Sequence, residues 1–150
     1  MDSTAGMEIR IVVNEGAILP RFATPHAAGA DLCAFLPRGA VILQPRSFEL
    51  IPTGLIMEIP VGFEGQVRPR SGLAAKFGVT VLNAPGTIDS DYRGEVKIIL
   101  INHGDKPFTI NHGDRIAQLV ICTTQGCRFI QADSISSTER GERGFGSTGV

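Results

Sequence analysis

At 150 residues and 43% hydrophobic content, the chain is long enough for one domain with a real core and too apolar to be disordered throughout. A net charge of -1 supplies no global basic field for duplex nucleic acid, so stable nucleic-acid binding is not expected and any anionic ligand must be met locally. The 18 glycines and 9 prolines are spread along the chain and cut it into short segments, which favours an all-β sandwich or barrel over helices.

The N-terminal stretch Met1-Asp2-Ser3-Thr4-Ala5-Gly6 is neither apolar nor arginine-rich, so no targeting signal is read there. No apolar run approaches the length of a membrane span, and a cytoplasmic protein without membrane association is expected. The three cysteines, Cys33, Cys122 and Cys127, suggest reduced thiols. Cys122 and Cys127 lack CxxC spacing and a paired His/Cys partner, which argues against zinc.

Glu8 to Val13 alternates, with Ile9, Ile11 and Val13 on one face of a first half-buried strand. Residues 14 to 29 read as a loop punctuated by Pro20 and Pro25. In Ala28-Gly29-Ala30-Asp31-Leu32-Cys33-Ala34 small residues flank Asp31, so backbone or ligand can approach it; an Asp at a strand edge is the plainer alternative. Strands are expected near Ala40–Leu43, Phe48–Pro52, Gly54–Ile59 and Phe63–Arg68, with breaks at Pro37-Arg38-Gly39, Pro45, Pro52 and Pro60-Val61-Gly62.

Arg68-Pro69-Arg70-Ser71-Gly72-Leu73-Ala74-Ala75-Lys76-Phe77-Gly78 departs from the strand pattern. It predicts one short helix near 71–77, with Ser71 as N-cap and Gly78 as C-cap. Free N–H groups, a hydroxyl and the adjacent Arg70 could serve an anion, or the segment is an ordinary capped turn of helix.

Val79-Thr80-Val81-Leu82 and Val96-Lys97-Ile98-Ile99-Leu100-Ile101 flank a turn-rich segment and read as strand, turn and return strand. Asn83-Ala84-Pro85-Gly86 supplies the turn, with Pro85 fixing a negative φ and Gly86 tolerating a positive one. Gly86-Thr87-Ile88-Asp89-Ser90-Asp91-Tyr92-Arg93-Gly94 then holds two carboxylates, a cation and the chain's single tyrosine. It is either a solvated acidic turn or a carboxylate fixed at a sheet rim within reach of a substrate.

Phe108–Ile110 and Arg115–Ile121 read as the last strands, with Gln118 mid-strand on the face of Ile116 and Val120. A buried amide there needs partners, from neighbouring backbone or from a ligand. His26, His103 and His112 sit in polar turns and are assigned no chemistry. From Gln131 the apolar pattern fails. The stretch Arg140-Gly141-Glu142-Arg143-Gly144-Phe145-Gly146-Ser147-Thr148-Gly149-Val150 is either a frayed tail or a glycine-rich segment that orders over a phosphorylated ligand.

Five of these stretches, in order, resemble the motifs of the trimeric dUTP pyrophosphatase (dUTPase) family: Ala28–Leu32, Arg68–Leu73, Gly86–Gly94, Gly113–Gln118 and Arg140–Gly149. The resemblance covers nearly the whole chain. One position departs: the family's last motif usually has glycine where this chain has Arg143.

The resemblance implies a single domain over 1–150 with a β jelly-roll-like (β-clip) fold, and residues 131–150 as a mobile tail that closes the active site. It implies a homotrimer with shared active sites, converting dUTP to dUMP and pyrophosphate with Mg2+ on the triphosphate. That reaction keeps uracil out of DNA and supplies dUMP for thymidylate synthesis.

Carried over residue by residue, Asp89 would position and deprotonate the attacking water. Tyr92 would pack under the deoxyribose and exclude a 2′-hydroxyl. Asn83 and hairpin backbone groups would read uracil, and Thr87, Ile88 and Lys97 would be further contacts. Arg70, Ser71, Gly72 and Gln118 would hold phosphates. Arg140, Gly146, Ser147 and Thr148 would close on the ligand while Phe145 stacks on uracil. Asp31 would act on magnesium indirectly, through water.

Two other readings remain open. A dCTP deaminase, alone or bifunctional, would use the same scaffold, but such relatives place a glutamate in the region of Asp89-x-Asp91-Tyr92-Arg93-Gly94. A non-enzymatic binding module would keep the pocket without turnover, and intact candidates at every catalytic position argue against it.

Overall fold

The computed structural model describes residues 6–146. Eleven strands and one helix follow in the order β1 (Arg10–Val13), β2 (Arg21–Phe22), β3 (Ala30–Cys33), β4 (Val41–Leu43), β5 (Phe48–Glu58), β6 (Phe63–Arg68), α1 (Ser71–Phe77), β7 (Val79–Val81), β8 (Gly86–Ile88), β9 (Glu95–Asn102), β10 (Phe108–Ile110) and β11 (Arg115–Thr123). They build two sheets, β1-β5-β9-β7 and β2-β3-β11-β6-β8, and a β10-β4 ribbon.

Alternation along β9 buries Val96, Ile98, Leu100 and Asn102 and leaves Lys97 outside. Leu55, Ile98 and Leu100 of one sheet meet Leu32, Ile88 and Leu119 of the other, and Leu43 and Ile110 of the ribbon complete the core. The result is an open sandwich in jelly-roll style. Neither sheet closes on itself, so the barrel alternative does not apply. No helix among the described residues is long and apolar enough to cross a membrane.

Four local expectations need correction. Pro52 does not end a strand: β5 runs through it, pairing with β9 over Phe48–Pro52 and with β1 over Leu55–Glu58. A register shift between Pro52 and Ile56 absorbs the missing donor. There Gly54 takes φ +69, and a Cβ on it would come within 2.7 Å of Ala17 Cβ. The loop over residues 14–29 contains β2, whose two residues pair with Asp31 and Ala30 of β3.

Gly86 does not use a positive φ. It opens β8, where a Cβ would press on Val67 and on the Asn83 side chain at 3.3 Å, so the position needs close approach rather than a left-handed turn. The peptide bond before Pro85 is cis. Finally, Ser71 is not the N-cap. Arg70 occupies that position with extended backbone and no side-chain cap bond, so Ser71 is the first helical residue. Gly78 caps the other end at φ 67, its N–H reaching Ala74 and Leu73 carbonyls.

Candidate active site

The strand-turn-strand segment is a hairpin with an excursion. β7 pairs with β9 in one sheet, while β8 between them crosses to pair with β6 in the other. This crossing opens a cleft of about 380 Å³ between the sheets. Asn83, Thr87, Ile88, Asp89, Tyr92 and Lys97 all line it.

The turn after β8 is closed locally. Tyr92 N–H donates to Asp89 O at 3.1 Å, and the Tyr92 hydroxyl donates to Glu95 O at 2.9 Å. The phenol folds back so closely over Gly94 that a Cβ there would lie 2.4 Å from the hydroxyl oxygen. Glycine at 94 is therefore what lets the ring stand at the cleft wall. Asp89 is left as an exposed carboxylate at the rim.

A second cleft, of about 390 Å³, is built by register. Gln118 of β11 lies opposite Asp31 of β3 on one side and Arg68 of β6 on the other. Two residues beyond Arg68, the chain turns into α1, which brings Arg70, Ser71 and Gly72 to the same wall.

Asp31 faces two guanidinium groups, with Arg70 Nε and Arg115 Nη1 each 3.3 Å from its carboxylate. Arg70 also donates to Arg115 O at 3.0 Å. One carboxylate against two cations leaves the wall locally positive in a chain whose net charge is -1. No atom stands within 4 Å of a Cβ position on Gly72, so a ligand has room to approach that backbone.

The Gln118 amide donates to Pro69 O at 2.9 Å. Its Oε1 lies 2.2 Å from where a Gly29 Cβ would stand, so Gly29 makes the space that holds this side chain. The register shift between Arg115 and Ala117 buries both Ile116 and Ala117 and leaves Gln118 half-buried, so simple alternation of Ile116, Gln118 and Val120 does not hold. Cys33 lies buried behind Asp31. Burial first, then the Asp31 charge, pushes its thiol above the ordinary cysteine value, so it serves as an inert packing residue.

Arg140, Phe145 and Gly146 line neither cleft and lie on an exposed tail. Ser147 and Thr148 fall outside the described residues. The turn at Glu139–Arg143 is closed by Arg143 Nη2 to Glu139 O at 2.6 Å and Arg143 Nε to Arg140 O at 3.1 Å.

Three further residues, assigned no role from the sequence, contribute to the site or its frame. Arg115 joins Arg70 in the basic cleft. Glu95 ties the hairpin to β5 by accepting from Gly54 N–H at 2.9 Å. His112 accepts Leu36 N–H at Nδ1, a structural bond. A basic residue inside Gly113-Asp114-Arg115-Ile116 was the available signal for Arg115; Glu95 and His112 offered none, because their partners are distant in sequence.

The chain matches the dUTPase family model over residues 15–149. It is 53% identical to the deoxyuridine 5′-triphosphate nucleotidohydrolase of Treponema pallidum, over 96% of this chain and 99% of that one. It is 57% identical to the enzyme of the same name from Beijerinckia indica, over 93% and 88%. Among solved structures, the Staphylococcus bacteriophage 80alpha dUTPase with dUpNHpp superposes with a TM-score of 0.85 at 27% identity, covering 95% of this chain and 99% of that one. On the family match and these two relatives, the chain belongs to the dUTPase family.

Proposed function

We propose that this chain hydrolyses dUTP to dUMP and pyrophosphate by attack of water on the α-phosphorus, with Asp89 positioning and deprotonating that water. The carrying observation is the division of polar groups between two clefts. One holds the rim carboxylate, an aromatic ring and amide chemistry suited to a deoxynucleoside; the other holds two guanidinium groups suited to phosphates. Asn83 and hairpin backbone read the uracil edge, where a mismatched base would leave buried polar groups unpaired. Tyr92 packs under the sugar, and Thr87, Ile88 and Lys97 complete that cleft. Arg70, Ser71, Gly72 and Gln118 hold the triphosphate. Residues 131–150 would supply the closing tail, with Arg140, Ser147 and Thr148 on the terminal phosphate, Phe145 over the base and Gly146 as a further ligand contact.

The donor set fits magnesium carried by the substrate. Asp31 is the one carboxylate lining the basic cleft, and among the described residues no group of three His, Cys, Asp or Glu could hold an ion. Magnesium keeps its waters and prefers phosphate oxygens to an all-protein cage, so Asp31 would reach it through water, and bound metal would offset the triphosphate charge. Pyrophosphate release from dUTP, dCTP, dTTP and UTP, each with magnesium and with chelator, tests the reading. Release from dUTP alone, lost with chelator, is expected. Deamination of dCTP, or no release from any of the four, would overturn it.

The same division supports a reading as a homotrimer with shared sites. The two clefts share no lining residue within one chain, so a complete site is read as drawing on two copies. Residues 124–138 form no strand and expose Phe129, Ile130 and Ile135, as an arm seated on another copy would. Mixing two inactive variants, Asp89→Asn and Arg70→Ala, after dissociation and reassembly should restore activity at about a quarter of the sites by random pairing. Mixed samples as inactive as the parents would place the whole site in one chain. Free thiols at Cys33, Cys122 and Cys127 fit a cytoplasmic location.

A further inference from the structure

Arg93 lines neither cleft, yet it grips the turn that carries Asp89. Its Nη1 donates to Ser90 O at 2.7 Å and to Tyr92 O at 3.0 Å, so one guanidinium nitrogen bridges the carbonyls on either side of Asp91. Its Nη2 lies 3.8 Å from Glu58 Oε1 on β5. Glu58 is itself held from the next strand: its Oε2 accepts Arg10 Nε at 2.7 Å, and Arg10 and Glu58 are register partners of β1 and β5.

The turn needs such a hold. It leaves β8 in one sheet and enters β9 in the other, so its two ends are fixed to different layers. Its own closures, Tyr92 N–H to Asp89 O and the Tyr92 hydroxyl to Glu95 O, tie the turn to itself and to β9. Arg93 joins the turn itself sideways to Glu58 of β5, while past the turn Glu95, at the start of β9, accepts from Gly54 N–H of β5 at 2.9 Å.

We propose that Arg93, braced by Glu58 and through it by Arg10, is a positioning residue that sets the Asp89–Tyr92 turn for attack on the α-phosphorus. This rests on the reading of Asp89 as the group acting on water. A reacting carboxylate displaced by about 1 Å loses much of its effect, whereas substrate contacts made elsewhere persist. The deficit therefore falls on kcat rather than KM. Lysine replaces Arg93 poorly, because its single nitrogen cannot stand both where Nη1 meets the two carbonyls and where Nη2 faces Glu58.

Steady-state kinetics on the full chain, with melting temperatures, test this. Arg93→Ala should lower kcat about 10-fold or more, with KM within about 3-fold and Tm within a few degrees. Arg93→Lys should stay nearer to Arg93→Ala than to the parent. Glu58→Ala should lose less, and Arg93→Ala with Glu58→Ala should be no slower than Arg93→Ala alone, because Glu58 acts through Arg93.

The inference is overturned by a kcat within 2-fold of the parent, by losses that track a falling Tm, or by multiplying effects in the double variant. If Arg93→Ala does not fold, Arg93→Lys decides on the same readouts. Asp89→Asn is run alongside. Turnover surviving in Asp89→Asn would overturn the reading of Asp89 and this inference with it. An inactive Asp89→Asn beside a fully active Arg93→Ala would overturn the positioning role alone.

Discussion

Asp89→Asn is expected to cut kcat by about 10²–10⁴-fold while leaving binding of the imido analogue dUpNHpp within a few-fold of the parent. Asparagine keeps the size of the side chain and one acceptor oxygen, so the rim of the cleft retains its shape. What it loses is the capacity to take a proton and the negative charge that orients a water. Asp89 is exposed and makes no bond that holds the turn together; those bonds come from its own carbonyl, Tyr92, Glu95 and Arg93. The fold and the Tm should therefore be unchanged. A tenfold-weaker analogue together with near-normal turnover would mean that the carboxylate serves binding, and the base would have to be sought elsewhere. Single-turnover measurement at saturating dUTP separates the two, because it reads the chemical step without product release.

The hairpin cleft was legible because its parts are close in sequence. Asn83 to Lys97 lie on one excursion between two paired strands, so local spacing and turn chemistry already bring them together. The basic cleft is different. Asp31, Arg70 and Gln118 meet because β11 pairs with β3 on one edge and β6 on the other, and nothing local states which strand lies beside which. Only the ordered set of five motifs suggested it.

Side-chain chemistry misplaces an element's boundary where the backbone decides it. Ser71 has the right chemistry for a cap, but the extended residue is Arg70, one position earlier. Pro52 looked like a terminator, but a bulge lets β5 pass through it and change partners. The tail stayed illegible for another reason. Among the described residues its lone aromatic, Phe145, is fully exposed and lines neither cleft, so no packing within them specifies where it goes.

Of the two completely buried polar residues, Thr53 and Asn102, alternation alone points to the second. Asn102 continues the buried parity of Val96, Ile98 and Leu100, and it is completely buried. Its Nδ2 donates to Leu43 O at 3.0 Å and to Lys106 O at 2.8 Å, and its Oδ1 accepts from Gly104 N–H at 2.9 Å. Its backbone pairs with the 44–47 turn, through Arg46 N–H to Asn102 O at 2.7 Å and Asn102 N–H to Ser47 O at 3.0 Å. One side chain thus joins β9, the end of β4 and the 103–106 turn.

Asn102→Ala should destabilise the protein by about 3 kcal/mol, since truncation strands a buried carbonyl and opens a cavity, while the 103–106 groups recover part of their loss from water. For a chain of this size that is a fall in Tm of roughly 6–12 °C.

Asn102→Asp is the sharper variant. It keeps the volume and the bond from Gly104 but turns the donating amide nitrogen into an oxygen that faces two carbonyls. Burial and those carbonyls would raise its carboxyl above the ordinary carboxylate value near 4. An acid whose folded pKa is raised holds its proton more tightly in the folded state. The cost is then least below the unfolded value, and it grows as pH rises toward the folded one. The Asn102→Asp protein should therefore lose Tm relative to the parent as pH is raised from 4 to 7, while the Asn102→Ala deficit stays flat. Parallel pH profiles for the two variants would mean that water reaches the site and that the three hydrogen bonds are not what ties β9 to the β4 ribbon.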